Sequence, residues 1–281
     1  MRVSALHTYP IKGCRRIDHE RAVVEPWGLV GDRRWMIIDR DGDQVTQRDV
    51  ARLALLRAVP VGTGLELSFP GSEPLLVAQP AADPAVTSTL WGRITMAATA
   101  AGPDADALLS KELDRDVRLV WMDDPASRRP VEPEYSLPTD RVSFADGFPL
   151  LLTNSASLDR LNDWIAESGS DEGPLPMARF RPNVVVDGAT PFAEDDWLGR
   201  RLRIGALVFR AAKPCGRCVV TTTDQETGDR GREPLRTLAR YRNVDQQLLF
   251  GTNLIPDTVG EIGVGDPVEV LDRFRDPLDL S

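Results

Sequence analysis

The segment from Lys213 to Asp224, Lys-Pro-Cys-Gly-Arg-Cys-Val-Val-Thr-Thr-Thr-Asp, contains two of the three cysteines of this chain. The apolar and β-branched residues after Cys218 predict a strand. Redox C-x-x-C motifs instead stand at a helix N-terminus, where the helix dipole lowers the pKa of a thiol. A soft thiolate in a loop beside Arg217 suits a soft metal centre that is carried by an anionic ligand.

Other interpretations of the two thiols remain open at this point. A zinc site needs about four ligands, and Cys14, His7 and His19 lie far upstream without zinc-like spacing. Free cysteines are also often small core residues. A Ser–His or Cys–His catalytic pair could form only through the two histidines, and the G-x-S-x-G motif is absent.

The composition is that of a soluble globular protein, with 42% hydrophobic and 27% charged residues in a chain of 281. The net charge of −9 argues against nonspecific binding to nucleic acid or to an anionic membrane, because either needs a basic face. No apolar signal segment follows Met1, and no 18-residue apolar run occurs. We therefore predict a cytoplasmic protein that binds neither nucleic acid nor a membrane.

The pattern along the chain predicts two units. Residues 1–122 contain mostly short strands, and an irregular connection rich in Pro, Asp, Glu and Arg follows over 123–142. This connection belongs to the second unit, which covers 123–281. The remainder of that unit contains strand-like runs at 150–153, 183–187 and 206–210, and a helical run at 233–241. Because strands outnumber helices, we predict a mixed α/β, β-rich fold built from two barrel-like units.

Short motifs follow one another in a characteristic order. They are Tyr9-Pro10-Ile11-Lys12-Gly13-Cys14, Gly31-Asp32-Arg33-Arg34-Trp35, Phe144-Ala145-Asp146-Gly147-Phe148-Pro149-Leu150, Arg179-Phe180-Arg181-Pro182-Asn183, the Lys213–Cys218 run and Phe250-Gly251-Thr252-Asn253. In order and spacing the chain resembles the MOSC proteins with an N-terminal β-barrel domain, a branch that includes the mitochondrial amidoxime-reducing components and their bacterial relatives. The resemblance covers nearly the whole chain. It implies an N-terminal MOSC β-barrel domain over 1–122, a MOSC domain over 123–281, and a cofactor between them.

The resemblance also implies a cofactor, the molybdenum cofactor (Mo-molybdopterin), and the residues that hold it. Cys218 would be the catalytic residue and the thiolate on molybdenum, whereas no such role is implied for Cys215. Lys12 and Arg33 would meet the phosphate and the pterin, because such side chains form strong bonds to phosphate. Gly13 would let the backbone approach the cofactor closely. The remaining implied contacts are Asp146, Gly147, Arg181, Asn183, Gly216, Arg217 and Asn253.

The implied activity is the reduction of N-hydroxylated compounds, namely amidoximes, hydroxylamines and N-hydroxylated bases. An external electron donor, a reductase or small redox carrier, would supply the electrons. The chain has no Rossmann fingerprint, and its three cysteines are too few for an iron–sulfur cluster. Some bacterial relatives carry a C-terminal iron–sulfur domain, and the run from Asp272 to Ser281 predicts none here. Two alternatives to this reductase function are a non-catalytic cofactor carrier and a sulfur-transfer module with a persulfide on Cys218.

Overall fold

A computed structural model describes residues 1–81 and 85–274 of the chain. The end of the predicted second domain, 275–281, lies outside the described residues. The strands are β1 Arg2–Thr8, β2 Ile17–His19, β3 Arg21–Glu25, β4 Gly28–Leu29, β5 Trp35–Asp39, β6 Arg57–Val61, β7 Gly64–Ser68, β8 Leu75–Val77, β9 Ala85–Leu90, β10 Ile94–Ala100, β11 Val117–Trp121, β12 Leu150–Asn154, β13 Val184–Asp187, β14 Arg200–Ile204, β15 Leu207–Gly216, β16 Asn243–Val244, β17 Gln247–Pro256, β18 Gly260–Gly263 and β19 Val268–Arg273. The helices are α1 Pro103–Leu113, α2 Pro125–Arg128, α3 Ser155–Glu167 and α4 Leu235–Tyr241. Short 3-10 helices cover Ala51–Leu55, Pro133–Tyr135, Met177–Phe180, Ala193–Asp195 and Val219–Thr222.

The strands form four sheets, of which the largest has the order β19-β14-β15-β17-β12-β13-β1-β2, with β16 attached to β17. The smaller sheets are β5-β11-β10-β9, β18-β3-β4 and β6-β7-β8. The predicted β-rich mixed fold is confirmed. No sheet closes into a barrel among the strands that the structure describes.

The first strand of the chain belongs to the largest sheet. β1 pairs antiparallel with β13, and β13 in turn runs parallel to β12. In the same way β3 pairs with β18 near the other end of the chain. The beginning of the chain is therefore packed against strands from residues beyond 123, and the boundary at 122/123 remains a prediction.

Two hydrophobic cores flank this junction. One gathers Tyr9, Ile11 and Cys14 with Trp35 and the small sheet β6–β8. The other gathers apolar residues of β12 to β15 with residues of β1 and β3, including Val3 and Leu6. The chain passes from the second core in β1 to the first core in the turn that links β1 to β2, so the neighbours of Lys12, Ile11 and Cys14, are packed in the first core.

The segment after Cys218 is not the strand that its composition predicts. The strand β15 lies before it and ends at Gly216, and Val219–Thr222 form a 3-10 helix. The hydroxyl of Thr221 donates to the carbonyl of Cys218 at 2.9 Å, and that of Thr222 donates to the carbonyl of Val219 at 2.8 Å. These local hydrogen bonds satisfy the backbone of a tight turn and outweigh the strand preference of β-branched residues.

Candidate functional site

One pocket brings together all the residues that the sequence analysis selected. Its lining includes Lys12, Gly13, Arg33, Asp146, Gly147, Arg181, Asn183, Gly216, Arg217, Cys218 and Asn253. Lys12 and Gly13 come from the turn after β1, and Arg33 comes from the segment before β5. The others lie in the loops before β12 and β13, at the end of β15 and just after it, and within β17. The pocket therefore lies where the two predicted units meet, and the individual roles of its residues remain predictions.

Lys12 is fixed and buried on one wall. Its backbone N–H donates to the carbonyl of Trp35 at 2.8 Å, and its Nζ donates to the carbonyl of Phe144 at 2.9 Å and to Asp146 Oδ1 at 2.5 Å. Burial lowers the pKa of Lys12 to about 8, although Asp146 opposes the shift. Desolvation would raise the pKa of Asp146, but the Lys12 ammonium outweighs it and holds that pKa well below its usual range.

Arg129, which the sequence analysis did not select, fixes the loop that carries Asp146. Its buried guanidinium donates to the carbonyl of Ser143 at 3.0 Å and also to the carbonyls of Ala145 and Asp146. Burial lowers the pKa of Arg129 to about 10, with Asp146 opposing the shift. The guanidinium of Arg129 thus fixes the backbone of the loop that carries Asp146.

Arg33 lies in a polar network that spans the two units. Its Nη1 donates to Asp32 Oδ2 at 2.6 Å and to Asn183 Oδ1 at 3.0 Å, and its Nη2 donates to the carbonyl of Arg181 at 3.2 Å. The amide of Asn183 also accepts from the backbone N–H of Leu151 and donates to the carbonyl of His7. In this structure Asn183 therefore holds Arg33 in place.

Two guanidiniums pack against the ring of Tyr9. The Arg33 Cζ lies 4.3 Å and the Arg181 Cζ 4.1 Å from the centre of its ring. Such stacking on an aromatic face stabilises a guanidinium that has lost its water. Burial raises the pKa of Tyr9 to about 12, against the effect of Arg181 and Arg33, so the phenol stays neutral.

Both thiols of the C-x-x-C segment line the pocket, and each contacts its own arginine. Arg217 Nη1 donates to Cys215 Sγ at 2.9 Å, and Arg48 Nη2 donates to Cys218 Sγ at 3.4 Å. Burial raises the pKa of the Cys215 thiol, and the Arg217 charge partly offsets this. The pocket therefore offers two soft donor atoms instead of the one that the sequence analysis selected.

The turn Thr46-Gln47-Arg48 also lines the pocket and was missed by the sequence analysis. From the sequence, the run 44–47 is expected to return after the turn 40–43 as a hairpin partner of the strand 33–39. In the structure Gln44 forms an isolated bridge with Ile38, and the N–H of Val45 donates to the carbonyl of Ile37 at 2.8 Å, but no continuous strand forms over 44–47. No motif in the sequence marks this turn, because its position beside Cys218 depends on contacts between distant segments.

The pocket carries an excess of positive charge. Five of its lining side chains are cations, namely Lys12, Arg33, Arg48, Arg181 and Arg217, and Asp146 is the one carboxylate among the described lining residues. Two buried nitrogen atoms, Arg181 Nη2 and Arg217 Nε, have no hydrogen-bond partner in the described part of the chain. Since a buried donor without a partner is costly, these atoms indicate a site for a ligand rich in acceptors and negative charge. Within residues 1–81 and 85–274, no group of three or more His, Cys, Asp or Glu side chains is arranged to hold a metal ion.

Comparisons with known proteins show the family of the chain. A family model described as the MOSC domain matches residues 139–269, and one described as the MOSC N-terminal beta barrel domain matches residues 1–116. The mitochondrial amidoxime-reducing component 1 of Homo sapiens is 31% identical, and that of Mus musculus 32%, each over 96% of this chain and 82% of the relative. The mitochondrial amidoxime reducing component 2 of Rattus norvegicus is 32% identical over 95% of this chain and 82% of the relative.

The chain therefore belongs to the MOSC proteins with an N-terminal MOSC β-barrel domain, the family of the amidoxime-reducing components, as the motif order predicts. A solved structure, the YUAD protein from Bacillus subtilis, matches with a TM-score of 0.41 and 10% identity over 97% of this chain and 96% of that chain, which is too weak to add to the argument. None of the described helices is long and apolar enough to span a membrane.

Proposed function

We propose that this protein binds the molybdenum cofactor and reduces N-hydroxylated compounds such as amidoximes, hydroxylamines and N-hydroxylated bases. The observation that carries the proposal is the thiol of Cys218 in a pocket with five cations and one carboxylate. The names of the relatives, which describe amidoxime reduction, support the same class of substrate.

The residues of the pocket fit the proposed cofactor. Cys218 would bind molybdenum, because a thiolate is a soft ligand. Lys12 and Arg33 would bind the anionic end, and the unpartnered nitrogens of Arg181 and Arg217 would donate to the acceptors of the pterin. When bound, the cofactor would supply the two-electron chemistry, while the protein supplies binding and orientation.

The remaining proposed contacts are backbone positions and supporting side chains. Gly13, with a φ of 90°, takes a backbone conformation that other residues adopt only with strain. A Cβ at Gly147 would have no neighbour within 4 Å, so this side of the pocket is open. Asn253 donates to the carbonyl of Pro214 at 3.4 Å and supports the strand that leads to Gly216.

The proposed reaction consumes two electrons and two protons, breaks the N–O bond and releases water. We propose that the electrons come from an external reductase or small redox carrier. The cytoplasmic location also remains a prediction, because the relatives are named as mitochondrial proteins.

The test is to prepare the protein in a host that synthesises the cofactor and to measure molybdenum, released pterin and reduction of benzamidoxime by reduced viologen. Stoichiometric molybdenum with turnover would support the proposal. Molybdenum without turnover would instead indicate a cofactor carrier. A persulfide on Cys218 without metal would indicate a sulfur-transfer module.

A further inference from the structure

Arg48 differs from the other four cations of the pocket in how few partners it has. Lys12 and Arg33 each bind a carboxylate and a carbonyl, Arg181 binds Cys14 and Gln225, and Arg217 binds the carbonyl of Phe180 as well as Cys215. The guanidinium of Arg48 has one hydrogen-bond acceptor among the described residues, the Cys218 sulfur at 3.4 Å. Because sulfur is a weak acceptor, the guanidinium of Arg48 has the weakest hydrogen bonding of the five cations.

The backbone of Arg48 is nevertheless held firmly. Its N–H donates to Thr46 Oγ1 at 3.1 Å, and its carbonyl accepts from Arg230 Nη2 at 2.9 Å. The carbonyl of the preceding residue, Gln47, accepts from the same guanidinium. The turn therefore fixes the backbone of Arg48, and the half-buried guanidinium lies next to the predicted metal ligand.

The charges around Arg48 favour an anion as its partner. The one carboxylate among the described lining residues, Asp146, is already paired with Lys12 at 2.5 Å. A guanidinium presents two parallel N–H groups that match the two oxygens of a carboxylate. A carboxylate oxygen is also a much better acceptor than the thiol that Arg48 now contacts.

We propose that Arg48 is a substrate-binding residue that selects N-hydroxylated compounds carrying a carboxylate. This rests on the proposed function, because it assigns the substrate class of the same site. Arg48 lies beside Cys218, and so the carboxylate would be bound next to the place where the N–O bond is reduced.

The test compares benzamidoxime with 4-carboxybenzamidoxime, which differ in one carboxylate. Binding of each to the molybdenum-loaded protein is measured by calorimetry without reductant, so that no turnover occurs. We expect the wild type to bind the carboxylated compound about ten- to a hundredfold more tightly, the range of one charged hydrogen-bonding pair. Arg48→Gln should remove this preference, and Arg48→Lys should keep part of it.

Arg93→Gln is the matched control, because Arg93 is exposed and does not line the pocket. It should bind both compounds like the wild type. The same variants are assayed for turnover, where Arg48→Gln should raise KM for the carboxylated compound much more than it raises KM for benzamidoxime, and Arg93→Gln should leave both KM values unchanged.

Equal binding of the two compounds by the wild type would overturn the proposal, as would equal behaviour of Arg48→Gln and Arg93→Gln. Loss of molybdenum in Arg48→Gln would also overturn it, since Arg48 would then hold the Cys218 ligand in place. If no variant reduces an amidoxime, the proposed function fails, while the calorimetric comparison still decides the role of Arg48.

Discussion

Gln47 and Gln225 exchange two hydrogen bonds between their buried side-chain amides, with N–O distances of 3.0 and 2.9 Å. Gln47 Nε2 also donates to the carbonyl of Gly13 at 2.7 Å, and Gln225 Oε1 also accepts from Arg181 Nη1 at 3.1 Å. This pair ties the turn of Arg48 to the loop beyond Cys218. It is therefore one of the direct links between the two predicted units at the pocket, beside the contacts of Lys12 with Asp146 and of Arg33 with Asn183.

We expect Gln47→Leu and Gln225→Leu each to lower the free energy of unfolding by about 1–3 kcal/mol, because each leaves a buried amide without its partner. The double variant should cost less than the sum, with a coupling of about 0.5–3 kcal/mol. Urea unfolding measures all three, and Gln246→Leu, at an exposed turn, is the control. Additive effects of the two substitutions would show that the pair is not a coupled unit.

Cys218→Ser should abolish turnover and lower bound molybdenum, because a hydroxyl is a poor substitute for a soft thiolate. Cys215→Ser should be much milder, although its sulfur lies in the same pocket and contacts Arg217. Metal analysis and viologen-driven turnover of both variants decide between the thiols. Exchanged phenotypes would mean that Cys215 is the ligand.

Lys12→Ala and Arg33→Ala should each weaken cofactor retention about ten- to a hundredfold, since each removes a charged hydrogen bond of about 1.5–3 kcal/mol. The double variant should be folded but largely free of cofactor. The pterin released on denaturation measures occupancy, and thermal unfolding checks the fold because Arg33 also binds Asp32 and Asn183. Full occupancy in the double variant would contradict these assignments.

The pKa of Lys12 predicts a pH dependence of stability in the cofactor-free protein. This pKa is about 8 in the folded state against 10.5 for a free lysine, so between these values the unfolded chain binds a proton that the folded chain has released. Stability must then rise with pH, by up to about 1.4 kcal/mol per pH unit from this group. The unfolding free energy of the wild type relative to Lys12→Met should increase from pH 8 to 10. A constant difference would show that the buried ammonium is not depressed in pKa.

Turnover should require an electron source other than a pyridine nucleotide. Purified protein should reduce benzamidoxime with reduced viologen and not with NADH or NADPH alone. A cell fraction that contains the physiological carrier should restore activity with the pyridine nucleotide, through a modest and partly charged interface. Activity with the nucleotide alone would show that the chain itself accepts a hydride.

The sequence alone was sufficient for the β-rich class, for the family and for many of the residues that meet in the pocket, although not for Thr46, Gln47 and Arg48. Each of the motifs that contain Lys12, Asp146 and Cys218 is a short linear run whose residue types are dictated by local chemistry. The order of these motifs along the chain can be read from the sequence without knowledge of the tertiary contacts. The excess of short strands over helices likewise follows from local propensity.

Only the tertiary structure decided which side chains touch. Arg48 reaches Cys218, Gln47 reaches Gln225, and β1 pairs with β13, across separations of more than 160 residues. The turn after Cys218 also became a 3-10 helix, because the Thr221 and Thr222 hydroxyls found backbone acceptors there. Linear patterns report local backbone preference and chemical type, whereas the partner of a buried polar group is chosen by the packing of segments that are distant in the chain.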